Sequence, residues 1–247
     1  MFKKSVVMFF LFINFAFASE VWNSDEGLKR LERSQFKNDF YQLVNFFQPQ
    51  INPALCSVAS SVMILNALNY GNIESQKDSE IINPENGVLI PYPLYTQSSF
   101  LNEKTDQIKK RAIIAFKEKN AAGKYDPGMK LEDTNTVLSK IYKAKTKITH
   151  VENISEKSIN NFRNLAKKIL ADKTNFLIVN IDRKALNQKG SGHYMPIVAY
   201  DETSDSLLAL DPAVHKMQWF WVELPELYKA MNTKDGEFFR GYLVVTK

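Results

Sequence analysis

The sequence predicts an α+β fold, a helical lobe with a buried central helix packed against an antiparallel sheet lobe. Three observations predict it. Apolar residues recur at helical spacing through most of the segments before Asn175. Short runs rich in Val, Ile, Leu, Tyr and Trp, separated by turn residues, fill the final third. Helices first and strands later suit a segregated α+β arrangement rather than an alternating one. The 247 residues, 45% hydrophobic and 24% charged, suffice for one large domain with its own core and no disulfide or metal staple. The formal charge of +5, part of it from Lys3 and Lys4 near the N-terminus, is too mild to point to nucleic acid or a membrane surface.

Residues 1–18 read as a secretory signal. Lys3 and Lys4 form a positive start, Val6 to Phe17 an apolar run, and Ala16-Phe17-Ala18 a small-x-small cleavage site before polar Ser19-Glu20. The run is short for a membrane span of about 20 residues. The expectation is an exported protein, periplasmic after cleavage near Ala18, with residues 19–247 as a single catalytic domain.

From Asp25 to Phe47, Leu28, Leu31, Phe36, Phe40, Leu43 and Phe46 fall at helix-like spacing. Pro49 and Pro53 force a loop. Ala54 to Tyr70 is a strong helix, apolar nearly all round and therefore central, with Gly71 as its stop. Asn72 to Pro93 reads as loop, with Pro84 and Gly87 as breakers. Ser98 to Ala121 reads as mostly helical, Met129 to Tyr142 as helix, Lys145 to Val151 as a strand, and Ser155 to Ala171 as an amphipathic helix. Asn175–Asn180, Tyr194–Tyr200, Ser206–Leu210, Trp219–Val222 and Gly241–Thr246 are the strands of the last third, with a helix at Leu224–Met231.

The chain has one cysteine, Cys56, so no internal disulfide can form. A lone cysteine is more often a small buried hydrophobe than a nucleophile. Cys56, however, follows a Pro-containing loop and opens the central helix, where unpaired N–H groups and the helix dipole favour a thiolate. A base must come from His150, His193 or His215. His150 closes a Lys-rich strand and suits a solvated face, and His215 has no strand to hold it. His193 follows Gly190-Ser191-Gly192, whose small residues allow close approach, and begins a hydrophobic strand. Asp211 lies 18 residues further on, at the end of the next strand, where it can fix the imidazole tautomer. The Asp201–Asp205 turn would bring the two to one sheet edge. The backbone N–H of Cys56 and the side chain of Gln50 are candidate oxyanion donors.

These residues resemble the papain-like cysteine peptidase clan, and more narrowly the phytochelatin synthase family. The matching stretches are Gln50 to Ala67, Thr96 to Thr105, Gly128-Met129 with Leu131, Val179 to Gln188, Gly192-His193 with Pro196 and Tyr200, Asp211 through Trp221-Val222, Ala230 to Thr233 with Asp235, and Arg240-Gly241-Tyr242. The resemblance implies a papain-like cysteine proteinase fold. It implies attack by Cys56 on the Cys–Gly bond of glutathione, through a γ-glutamylcysteinyl thioester, with γ-glutamylcysteine or longer phytochelatins as product. It implies substrate contacts at Asn180, Arg183, Gly192, Lys216, Asp235 and Arg240. Ser57 stands where the family usually has glycine, Val214 where it usually has arginine, and Met217-Gln218-Trp219 replaces a Tyr-Pro-Pro-like stretch; these departures favour hydrolysis over transfer. No Cys-rich C-terminal extension follows within the 247 residues, and one cysteine cannot build a thiolate cluster. No protein-borne metal or other cofactor is therefore expected; cadmium or zinc would arrive as a metal–glutathione thiolate substrate. Expected partners are glutathione and related γ-glutamyl thiol peptides, a homodimer being allowed, with no nucleic acid and no membrane in the mature form. Two other classes stay open: a papain-like peptidase acting on longer peptides, and a non-enzymatic exported binding module.

Overall fold

The computed structural model describes residues 19–70, 80–82, 85–87, 89–91, 94–117, 119 and 123–247. The elements, in chain order, are β1 (Ser19–Val21), α1 (Asp25–Arg33), α2 (Asn38–Leu43), α3 (Cys56–Leu68), β2 (Glu80–Ile82), β3 (Leu89–Pro91), α4 (Gln97–Phe100), α5 (Leu131–Thr136), β4 (Lys145–His150), α6 (Glu156–Ala171), β5 (Asn175–Asp182), β6 (Gly192–Asp201), β7 (Ser206–Ala209), β8 (Phe220–Glu223), α7 (Leu224–Met231), β9 (Lys234–Asp235), β10 (Phe238–Phe239) and β11 (Gly241–Thr246). The expected leader and the Gly71 stop lie outside the described residues. Among the described residues no helix is long and apolar enough to cross a membrane.

The architecture is α+β. A seven-stranded sheet in the order β1-β8-β7-β6-β5-β11-β4 is antiparallel at every pairing. Both faces of its middle are covered. On one side α3 packs with Phe176, Ile178, Val198 and Leu243; on the other, residues of α6 and α7 pack with Leu177, Val179, Ile181 and Ile197. Alternation along a strand sends successive residues to opposite faces. Double coverage therefore explains why residues 176–179 form an unbroken apolar run. The same logic holds for α3, in which every residue but Ala67 is buried.

Two segments differ from their sequence patterns. Among the described residues, the helix expected over 98–121 is reduced to α4 and a 3-10 turn, Arg111–Ala115. Asn102 breaks it: its Oδ1 accepts from Lys104 N (3.0 Å), its backbone N–H donates to Thr105 Oγ1 (2.9 Å), and its backbone O accepts from Thr105 Oγ1 (2.8 Å). Such side-chain bonds offer the backbone an alternative to helix. Within the expected loop 72–93, β2 and β3 pair as an antiparallel hairpin. Strand β1 had no sequence signal and gains its place by pairing with β8.

The core also holds a titratable group outside any ionic network. Asp39 in α2 is fully buried and neither carboxylate oxygen has a hydrogen-bond partner among the described residues. Burial, and secondarily the charge of Asp172, pushes its pKa up to about 9. The folded state then keeps a proton that the unfolded chain loses above about pH 4. Stability should fall as pH rises from about 4 to about 9, by up to about 1.4 kcal/mol per pH unit. Asp39→Asn removes the titration. Denaturant unfolding should show it gaining on the wild type steadily between about pH 5 and 8; parallel stability curves would refute this.

Candidate active site

Cys56 is the first residue of α3, whose N-cap Leu55 offers no side-chain bond. The loop before it is held by side-chain amides, Gln97 buried and Asn52 half-buried. Gln97 donates to Pro49 O (2.9 Å) and accepts from Ile51 N (3.1 Å), and Asn52 Oδ1 accepts from Ala54 N (2.9 Å). Gly128 presses on the same loop; a Cβ there would come within 2.6 Å of Ala54 O, and its φ of +101° also favours glycine.

The sheet supplies the other groups. His193 is the second residue of β6, and Asp211 lies two residues past β7, at the same end of that antiparallel pair. Leu210 N donates to Pro196 O (2.9 Å), which fixes the chain where it leaves β7. Gln50 N donates to Pro212 O (2.9 Å) and ties the nucleophile loop to the turn beside Asp211. His193 Nε2 donates to Asp211 Oδ1 at 2.7 Å, so Nδ1 is left for the Cys56 thiol, with which the imidazole interacts electrostatically. Asp211 Oδ1 also accepts from Ala213 N (2.7 Å), and its Oδ2 accepts from Arg183 Nη2. His193 is 3% exposed and Asp211 is 0% exposed.

Electrostatics favour an ion pair. Burial opposes the Cys56 thiolate, but the hydrogen bond and charge of His193, with the N–H groups of Tyr194 and Ser57, bring the thiol below its ordinary range. Burial likewise opposes imidazolium, but the charge and hydrogen bond of Asp211, then those of Cys56, raise His193. Asp211 is lowered against its own burial by His193 first and then by Arg183. Sulfur, imidazole and carboxylate thus sit in one line, with charges alternating in sign.

A cleft of about 280 Å³ opens beside Cys56, and Asn180, Gly192, Tyr194, Asp235 and Arg240 line it. Asn180 Nδ2 donates to Tyr194 Oη (3.0 Å), while its buried Oδ1 has no hydrogen-bond partner among the described residues. Arg240 Nη1 lies 3.3 Å from Asp235 Oδ2, while its buried Nε has no hydrogen-bond partner among the described residues. The guanidinium lies over Gly192, where a Cβ would come within 2.8 Å of Nη2. An unpaired acceptor, an unpaired donor, a cation and a carboxylate in one cleft match a ligand end bearing both an ammonium and a carboxylate.

Of the residues singled out in the sequence, Cys56, His193 and Asp211 come together, and Asn180, Gly192, Asp235 and Arg240 share the adjoining cleft. Gln50 is buried in the preceding loop, its Nε2 donating to Asn52 O (2.8 Å) and its Oε1 without a partner among the described residues. Arg183 and Lys216 are not among the cleft-lining residues. Arg183 is buried behind Asp211, and Lys216 is exposed. His215 is exposed as well. His150, read as a solvated residue, is half-buried: its Nδ1 meets Phe239 O (2.5 Å) and its Nε2 lies 3.3 Å from Glu132 Oε1. Tyr194, Lys130 and Asp133 line the cleft without having been anticipated. Tyr194 had a signal, since β6 and β5 pair it directly with Asn180, but that register is invisible in the linear chain.

Comparison with known proteins points the same way. The family described as Phytochelatin synthase matches residues 18–242. Glutathione gamma-glutamylcysteinyltransferase 1 of Lotus japonicus is 30% identical over 211 residues, covering 84% of this chain and 36% of that protein. Glutathione gamma-glutamylcysteinyltransferase 1 of Arabidopsis thaliana is 26% identical over 211 residues, 84% of this chain and 37% of its own length. The Schizosaccharomyces pombe glutathione gamma-glutamylcysteinyltransferase is 28% identical over 94 residues, 37% of this chain and 23% of that protein. The chain spans little more than a third of the length of the plant relatives it matches.

Proposed function

This chain belongs to the phytochelatin synthase family, and on that premise we propose that it removes glycine from glutathione through a γ-glutamylcysteinyl thioester on Cys56. The observation that carries the reading is Cys56 electrostatically paired with a His193 that is hydrogen-bonded to Asp211, at the head of a cleft fitted to an ammonium–carboxylate end. The fold is read as papain-like on the same grounds: a nucleophile at a helix start, its base and the base's orienter on an antiparallel sheet.

The Cys56 thiolate adds to the carbonyl carbon of the Cys–Gly bond. The developing oxyanion is met by the Cys56 N–H, with the Gln50 amide as second donor. His193 imidazolium protonates the glycine nitrogen, the C–N bond breaks and glycine leaves. Neutral His193 then takes a proton from water as that oxygen adds to the thioester, and the thiolate is expelled as γ-glutamylcysteine forms. Arg240 binds the α-carboxylate of the γ-glutamyl end, and Asp235 with Asn180 Oδ1 receives its ammonium.

Hydrolysis dominates over transfer. Val214 is half-exposed and brings no cation to the acceptor side. Trp219 is packed between Trp22 and Phe47, with ring centroids at 4.9 and 4.8 Å. Cadmium or zinc enters as a metal–glutathione thiolate substrate. The leader directs export and periplasmic residence.

Purified protein incubated with glutathione should release glycine and γ-glutamylcysteine in equal amounts, and Cys56→Ala none. Product analysis with and without cadmium or zinc would show whether oligomers form. Absence of glycine release anywhere between about pH 6 and 9 would refute the proposal.

A further inference from the structure

Arg183 is the buried cation nearest the catalytic line, and its surroundings differ from those of a substrate-binding arginine. It opens the 3-10 turn Arg183–Leu186, capped by Asp182, whose side chain accepts from Lys184 N (3.0 Å). Its backbone N–H donates to Ser191 O (3.1 Å), two residues before His193. Its side chain is 1% exposed. Nη2 donates to Asp211 Oδ2, and Nη1 donates to Gln188 Oε1 (2.8 Å) and contacts Met217 Sδ (3.2 Å). Its Nε is buried and makes no hydrogen bond among the described residues. Because the side chain is sealed from solvent, a substrate carboxylate would have to open the protein around this guanidinium or compete for it with Asp211 and Gln188.

We infer that Arg183 is a positioning residue, which grips the far oxygen of Asp211 and through it sets the orientation and charge of His193, rather than a receiver for a substrate carboxylate. The carboxylate is held at both ends. Oδ1 takes His193 Nε2 and Ala213 N, and Oδ2 takes Arg183, so rotation that would exchange the two oxygens breaks bonds on both sides. Guanidinium suits this task because it stays charged and its planar fork fixes direction as well as distance. Gln188 and Met217 brace the other end of the fork. The chain therefore has one arginine for the acid of the catalytic line, Arg183, and another for the cleft, Arg240.

The inference rests on the proposed glutathione chemistry for its turnover readout but not for its second readout, Cys56 alkylation by iodoacetamide as a function of pH. In Arg183→Gln, kcat for glycine release should fall ~100-fold, the scale expected when a catalytic group is misplaced from a distance, with KM within about threefold of wild type. Loosening the hold of Asp211 on His193 should also weaken the imidazole as partner of the thiolate and move the alkylation midpoint up by roughly one pH unit. Arg183→Lys, which keeps the charge but not the fork, should hold the midpoint near wild type and recover part of kcat. Gln188→Ala removes only the brace and should lower kcat by less with KM unchanged; it keeps the test decisive if Arg183→Gln does not fold. A tenfold or larger rise in KM with kcat and the alkylation profile unchanged, in Arg183→Lys or Gln188→Ala, would overturn the inference and return Arg183 to substrate binding. Wild-type protein that releases no glycine but shows the shifted alkylation profile in the Arg183→Gln variant would sink the proposed substrate and leave this role standing.

Discussion

His193→Ala is expected to lower kcat for glycine release on the order of 10⁴-fold or more, because one imidazole serves as thiolate partner, acid and base. The loss should be visible before any substrate binds. Without the hydrogen bond and charge of His193, burial is opposed only by the N–H groups of Tyr194 and Ser57, and the thiol rises. Alkylation at neutral pH should drop to or below the rate of an ordinary free cysteine. The fold should survive, since Arg183 still pairs with Asp211 in the same buried site. A folded His193→Ala protein that alkylates at the wild-type rate would show that the thiol is activated by something else.

Asp211→Asn should damage both activity and stability. The acceptor for His193 Nε2–H is weakened and the imidazole can take the wrong tautomer, so kcat should fall ~10³–10⁴-fold. Arg183 is then left as a buried charge without its counter-ion, which costs about 3–5 kcal/mol. Denaturant unfolding of the single variant and of the double variant Asp211→Asn/Arg183→Met separates the two effects. The double variant should regain most of the stability and none of the activity. The sign with pH also follows. Asp211 is held below its ordinary value, so its contribution is complete above about pH 4 and is lost as pH falls through its folded value. The stability gap between wild type and Asp211→Asn should therefore be widest near neutrality and close in acid. A gap that widened in acid would mean that Asp211 is not ionised in the folded protein.

The parts that could be read from the sequence are those where one local pattern had one physical meaning. Helix α3 is apolar all round and turned out buried all round; β5 and β6 are apolar runs sealed on both faces. The catalytic line was legible because only one cysteine and three histidines offered themselves, and because a hairpin returns the chain past His193 to Asp211. The rest depends on pairings that sequence distance hides. Asn180 faces Tyr194 only through the β5–β6 register. Strand β11, from the end of the chain, is inserted between β5 and β4, and this sets Arg240 beside Gly192. Arg183 reads like a substrate ligand until its fork is seen closed on Asp211 and Gln188. The overlong helix at 98–121 shows the limit of spacing arguments, since the hydrogen bonds of Asn102 with Lys104 and Thr105 outweigh the apolar periodicity around them.

The central claim is that glutathione is opened by covalent attachment of its γ-glutamylcysteinyl half to Cys56. Acid-quenched intact-mass analysis, followed by peptide mapping after brief exposure to glutathione, tests this most directly. The account predicts an adduct of one γ-glutamylcysteinyl group on the peptide carrying Cys56, discharged by hydroxylamine, with free glycine appearing in a matching burst. Glycine released at full rate by Cys56→Ala, or an adduct on any other side chain, would contradict it.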